Sequence, residues 1–155
     1  TAILASVVIA QFEAAIGQVV ALAVLMPIVA SMGGNAGTQT LTVVVRALAV
    51  REVTAANATR VLVKEFLAGS VSGLLFMAVG LAITFLWYND PTLGMLFGIA
   101  LIVTLVAGVV AGVCIPLLLD RLGLDPAVSS GVFLTTVTDV VGFFVFLGLA
   151  SLYFI

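Results

Sequence analysis

The chain of 155 residues is 64% hydrophobic and only 8% charged, with a formal net charge of −2 at pH 7. Soluble domains carry about 25% charged residues, so these few charges cannot cover a surface that faces water. Histidine is absent and Cys114 is the single cysteine, which excludes disulfides within the chain, zinc fingers and imidazole-based metal sites. No basic patch is present, so nucleic acid is not an expected partner. The composition predicts an all-α protein that crosses the membrane several times.

Five spans are expected in chain order, since a helix needs about 20 mainly apolar residues to cross a bilayer. Within a single transmembrane domain of residues 1–155, the expected spans are approximately 1–10 (partial), 16–46, 62–88, 92–119 and 127–154. Residues 1–10 are apolar but too short to cross, so we interpret them as the end of a truncated first span. Thr54 is the expected N-cap of the helix that leads into the third span.

The second segment is longer than one bilayer requires. It stays apolar from Ala14 to Val50, with interruptions at Pro27 and at "GGNAGTQ" (33–39). As one helix it would be about 50 Å long, which predicts a kinked or tilted span. Two half-helices that meet at the glycines are the alternative.

The basic residues predict an orientation. All five lie in or beside two connections, 47–61 and 120–126, whereas the connections 11–16 and 87–91 contain none. By the positive-inside rule the first two are cytoplasmic, and the C-terminus is then outside. The membrane expected is the inner (plasma) membrane.

Polar side chains recur along the second span at spacings of three and four residues, which places them on one helix face. They are Ser31, Asn35, Thr38, Thr42 and Arg46, with Gln39 beside them. Lipid offers hydroxyl and amide groups no hydrogen bonds, so this face meets either another helix or water. A polar helix–helix seam and a water-filled pathway both remain open.

Asp139 lies near the middle of the last span, where a charge costs roughly 2.5–3.5 kcal/mol on insertion scales. No lysine or arginine lies at membrane depth to pair with it. It is therefore a cation site, a proton-carrying acid or a structural acid. Thr135 and Gly142 share its helix face, and Thr138 flanks that face.

Hard cations such as Mg²⁺ prefer oxygen ligands, and Mg²⁺ keeps several waters. One carboxylate per chain makes a weak site, whereas two copies on a two-fold axis would place two carboxylates around one ion. The motifs "GSVSG" (69–73) and "GVVAG" (108–112) are interpreted as packing surfaces within the subunit.

Two stretches together strongly resemble the transmembrane domain of the MgtE family of magnesium channels. They are "PIVASMGGNAGTQTLTVVVRAL" (27–48) and "LGLDPAVSSGVFLTTVTDVVGFFVFL" (122–147), separated by two plain spans. The resemblance covers nearly the whole chain. It implies a homodimer of five spans per subunit, with the pore at the homodimer interface, and cytoplasmic regulatory domains that are missing from this chain.

The resemblance also implies roles for individual residues. Asp139 of both subunits would hold a largely hydrated Mg²⁺, joined by the main-chain carbonyl of Thr135. Asp125 matches an acid that helps to hold regulatory magnesium against the cytoplasmic domain, and Glu13 is expected at the outer mouth. The expected pore-lining residues are Ser31, Asn35, Thr38, Gln39, Thr42, Thr138 and Gly142.

The leading function is magnesium permeation through a channel or transporter, with no enzymatic chemistry. Mg²⁺ would be the transported and bound ion, and the other partners would be membrane lipid and a second copy of the chain. The alternative is a proton- or sodium-coupled secondary divalent-cation transporter that uses Asp139 as the coupling acid. A non-transporting assembly subunit is a third reading, in which Asp139→Asn leaves transport unchanged.

Overall fold

The computed structural model describes residues 1–54 and 56–155, and within these the regular elements are all helices. They are α1 (Ala2–Ala10), α2 (Glu13–Gln18), α3 (Ala21–Ala49), α4 (Ala58–Tyr88), α5 (Pro91–Arg121) and α6 (Pro126–Phe154). In this part of the chain, the four helices α3 to α6 are long and apolar enough to cross a membrane. The predicted all-α membrane class is confirmed, while the count of five spans stays a prediction.

The second expected span forms one continuous helix from Ala21 onward. α3 runs through Pro27 and through the glycines at 33, 34 and 37 to Ala49. The break in the helix lies earlier, at Val19 and Val20 between α2 and α3. Half-helices that meet at the glycines are therefore not what this chain forms.

α5 is the centre of the bundle, because it packs against α3, α4 and α6. Its side chains Leu93, Phe97, Leu101 and Leu105 are at most 2% exposed. The helix begins at an Asp-Pro pair, where the Asp90 carboxylate accepts from the amides of Thr92 (2.9 Å) and Leu93 (3.1 Å). Proline at the first helical position costs no hydrogen bond, because that amide has no partner within the helix. The Asp-Pro pair therefore stabilises the N-terminus of α5.

Glycines bring the backbones of α3 and α5 into direct contact. A Cβ atom added at Gly37 would lie 2.8 Å from the carbonyl oxygen of Gly108, and one at Gly112 would lie 2.6 Å from that of Gly37. On α4, Gly69 packs against the side chain of Val109 of α5, whose Cγ2 would lie 3.0 Å from an added Cβ. The expected packing role of the two GxxxG motifs within the subunit is thus confirmed.

The first two helices pack on the C-terminal half of α6. Phe12, between α1 and α2, lies edge-to-face with Phe144, with ring centroids 5.9 Å apart. It also approaches Gly148. Since Phe144 lies five residues beyond Asp139, α2 sits about 8 Å further along the axis of α6 than this acid.

The start of α4 differs from the expectation. Asn57 is the N-cap residue, so the expected cap at Thr54 is wrong. The Asn57 side chain instead bridges the loop, because its Oδ1 accepts from the Thr54 amide (2.8 Å) and its Nδ2 donates to the Glu52 carbonyl (2.8 Å). Side chains of this type compete with helix formation by bonding to nearby backbone, which delays the helix to Ala58.

Candidate cation site

Asp139 lies on α6 at the border between its exposed and its buried face. Val132 and Thr135, on one side, are exposed, whereas Thr138 is fully buried. The Asp139 side chain itself is half-buried. Within residues 1–54 and 56–155, the polar contacts in this part of α6 are made by threonines, and none reaches the Asp139 carboxylate.

The threonine hydroxyls around Asp139 bond back to their own helix. Thr138 Oγ1 donates to the carbonyls of Leu134 and Thr135, both at 3.2 Å. Thr135 Oγ1 points back to the carbonyls of Gly131 and Val132, both at 3.1 Å. The Thr135 carbonyl accepts the Thr138 hydroxyl in addition to its bond within the helix, so it is free for a further contact only when that hydroxyl bonds to Leu134 alone.

The polar face of α3 lies beside this part of α6. A Cβ atom added at Gly34 would be 3.9 Å from Thr138 Oγ1, so the two helices meet at the depth of Asp139. Asn35 follows Gly34 and is exposed. Asp139 and Asn35 are thus each the next residue in sequence after a member of this helix–helix contact.

The rest of the polar face of α3 is not buried against another helix of the same chain. Its members Ser31, Thr38, Gln39 and Thr42 are all exposed. Thr42 Oγ1 donates to the Thr38 carbonyl (2.8 Å), a bond within the helix. A polar seam inside one subunit is therefore not what this face forms, which leaves water or a second copy of the chain as its partner.

Two of the residues expected to line a pore lie behind Asp139 in this subunit. Thr138 is fully buried, and Gly142 is buried against α5 and α3. A Cβ atom added at Gly142 would meet Thr104 at 3.1 Å and Val29 at 3.3 Å. Both residues thus set how closely α6 packs against its neighbours.

Asp125 and Glu13 lie away from Asp139. Asp125 is exposed and caps α6, since its Oδ1 accepts from the Ala127 amide at 2.9 Å. It precedes Asp139 by fourteen residues, which is about 21 Å along a helix. Glu13 is the exposed first residue of α2, on the side where Phe12 meets the C-terminal half of α6. The three acids therefore occupy three depths.

One acid was not expected at a site. From the sequence, Glu65 and Lys64 are ordinary interfacial charges, yet Glu65 is half-buried and its Oε2 accepts a hydrogen bond from Thr40 of α3 at 3.2 Å. The sequence contains a sign of this inward position, because Glu65 lies one helical turn before Gly69 and therefore on the packing face of α4.

The described residues of one subunit contain no cluster of acidic side chains that would form a complete metal site. Among the described residues, no three carboxylate or cysteine side chains come together. At Asp139 one chain offers one carboxylate, with carbonyls and hydroxyls that are bonded along the helix. Such a set suits a hydrated ion that is shared with a further carboxylate.

Comparison with known proteins identifies the family. Residues 26–149 match the family model MgtE, described as a divalent cation transporter. The chain is 35% identical over 144 residues to the Magnesium transporter MgtE of Bacillus subtilis, covering 93% of this chain and 32% of that protein. It is 34% identical over 154 residues to the Magnesium transporter MgtE of Thermus thermophilus, covering 98% of this chain and 34% of that protein. The chain thus spans about a third of the length of these curated relatives. With its apolar helices, it is a multi-pass membrane protein that belongs to the MgtE family of divalent cation transporters.

Proposed function

We propose that two copies of this chain form a pathway for Mg²⁺ across the plasma membrane, with one hydrated ion held between the two Asp139 carboxylates. The observation that carries the proposal is the position of Asp139. It is half-buried in the middle of a membrane-spanning helix, without a hydrogen-bonding partner among the described residues, and next to the polar face of α3. The curated relatives are named magnesium transporters, which supports the choice of ion.

The chemistry of the site favours an ion that keeps its water. Mg²⁺ loses water reluctantly and is usually bound through one or two carboxylates with several waters retained. Two Asp139 side chains would cancel its charge. The Thr135 carbonyls would accept from its water shell once the Thr138 hydroxyls bond to Leu134 alone. Selection would then depend on the fit of the hydrated ion, which is larger and more rigid than a bare one.

The exposed polar face of α3 supplies the rest of the pathway. Ser31, Asn35, Thr38 and Thr42 lie on the surface of one subunit, where lipid would leave their polar groups unsatisfied. Pairing two subunits across α3 and α6 would turn these faces toward a common water-filled space. Asp125 would then stand at the cytoplasmic entrance, with one carboxylate oxygen engaged in its helix cap and the other free for a regulatory ion.

The deciding experiment is a magnesium titration and a flux measurement on Asp139→Asn. Asparagine keeps the size and hydrogen bonding of the side chain but removes the charge. We expect the variant to remain folded and dimeric while its Mg²⁺ affinity falls at least a hundredfold and selective Mg²⁺ flux is lost. Unchanged binding and flux would show that the carboxylate is structural and would reject the proposal.

The same preparation, with sodium absent from both sides, separates permeation from proton-coupled transport, and a requirement for added sodium would indicate sodium coupling. In liposomes loaded with a pH indicator, a channel passes Mg²⁺ down its gradient without moving protons. A coupled transporter instead acidifies or alkalinises the lumen in proportion to the Mg²⁺ moved. A fixed ratio of protons to Mg²⁺ would favour the coupled mechanism over a channel.

A further inference from the structure

A polar pocket lies between α3 and α4, and Asp139 is not among the residues that line it. Its volume is about 190 Å³. Oxygen-bearing side chains from both helices line it: Gln39, Thr40, Glu65 and Ser72. The remaining lining residues are alanine, valine and glycine. Among the described residues, these four are therefore the polar side chains that line the pocket.

Glu65 is the charged group of this pocket. Its Oε2 accepts from Thr40 Oγ1 at 3.2 Å, and Thr40 is only 5% exposed, which fixes the carboxylate against α3. No lysine or arginine lines the described walls, although Lys64 is its neighbour in sequence and points outward. Glu65 lies near the start of α4, and its half-buried carboxylate has no positive partner on the described walls of the pocket. The protein thus offers a negative charge to a cation from solution.

The pocket lies at a different depth from Asp139. Gly34 meets Thr138 at the depth of that acid, and Thr40 is six residues further along α3, which is about 9 Å. This displacement leads toward the end of the bundle where α3 ends and α4 begins. Gln39 is shared, since it is exposed beside the polar face of α3 and also lines the pocket.

We infer that this pocket binds a second hydrated divalent cation, with Glu65 as its charged ligand and the oxygens of Gln39 and Ser72 as contacts to the water shell. The volume suits such an ion, because each water occupies about 30 Å³ of liquid and the pocket has room for several. Oxygen donors, one carboxylate and retained water are the features that Mg²⁺ and Mn²⁺ accept. The site does not depend on the role of Asp139, and an ion held there would sit beside the entrance to the α3 face.

The test uses Mn²⁺ as the probe, with the full chain in lipid nanodiscs and free Mn²⁺ followed by electron paramagnetic resonance. The double variant Asp125→Asn/Asp139→Asn removes the proposed regulatory and pore sites, so the remaining binding reports on the pocket. We expect this variant to retain one weaker Mn²⁺ site per chain. Adding Glu65→Gln should then weaken that site at least tenfold. Adding Glu52→Gln, the same change of charge in the exposed loop, should leave it unchanged.

Two results would overturn the inference: no residual Mn²⁺ binding in Asp125→Asn/Asp139→Asn, or residual binding that Glu65→Gln does not alter. A failure of the proposed function looks different, since Asp139→Asn would then bind Mn²⁺ like the unmodified chain. Because Glu65→Gln could disturb the contact between α3 and α4, anomalous scattering from Mn²⁺-soaked crystals of the unmodified chain provides an independent measurement. A peak between Glu65 and Ser72 supports the site, and Mn²⁺ peaks elsewhere with none there reject it.

Discussion

Replacing Asp139 with glutamate changes the reach of the carboxylate and nothing about its charge. We expect Asp139→Glu to bind a divalent cation within tenfold of the native affinity, because two negative charges would still face one ion in the proposed dimer. The extra methylene should misfit the hydrated shell and lower the preference for Mg²⁺ over Ca²⁺. Competition binding with the two ions checks this, and an unchanged preference would show that the position of the carboxylate does not select the ion.

At the scale of single residues, the sequence predicts a site at Asp139, because an acid at mid-membrane without a basic partner has few explanations. The structure shows this side chain half-buried, and its role as a cation ligand stays a prediction. The sequence predicts that Glu65 and Lys64 are ordinary interfacial charges, because adjacent opposite charges near a span end are common. Only the packing of α4 beside α3 shows that Glu65 points inward to Thr40.

The polar face of α3 gives a prediction at the scale of one helix. Cysteines at positions 35, 38 and 42 should react with small hydrophilic thiol reagents in the assembled protein, because these positions are exposed in the subunit and would face water. A cysteine at 44 should not react, since Val44 is only 1% exposed. The experiment requires Cys114→Ala as background. Equal protection at all four positions would mean that the face is sealed by a second copy of the chain.

The glycine contact between α3 and α5 predicts a loss of stability. In Gly37→Ala the new methyl group would lie 2.8 Å from the Gly108 carbonyl oxygen, which is backbone and cannot move aside. Overpacking of this kind costs about 1–3 kcal/mol. Gly131→Ala is the matched control, because nothing lies within 4 Å of the added atom. Thermal unfolding in detergent should show a lower midpoint for the first variant only, and similar midpoints would contradict the contact.

Among the helices, apolar length located α4, α5 and α6, since 62–88, 92–119 and 127–154 each lie within one of them. The sequence did not settle α3, because proline and three glycines allow either a break or a continuous helix. Packing decides between these outcomes. Because Gly33 and Gly37 lie against α5, the neighbouring helix supports α3 at its glycines and the helix remains continuous. The same dependence on contacts explains why the helix break at Val19 was not foreseen.

For the whole molecule, the sequence predicts which side of the membrane each loop faces. Single cysteines at positions 56 and 89, again in a Cys114→Ala background, should label from opposite sides. Position 56 should react with a membrane-impermeant thiol reagent only in permeabilised cells. Position 89 should react with the same reagent in intact cells. Labelling of position 56 from outside would invert the arrangement and move Asp125 away from the cytoplasm.

The central place of α5 has a consequence for the order of synthesis. α3 is complete at residue 49, whereas α5, against which the glycines of α3 pack, is complete only at residue 121. At about 5–20 residues per second, that interval of 72 residues lasts roughly 4–14 s. During this time the least apolar of the four long helices lacks its main partner. Nascent chains stalled after residue 88 should therefore leave α3 open to a membrane protease, and chains stalled well beyond residue 121 should protect it.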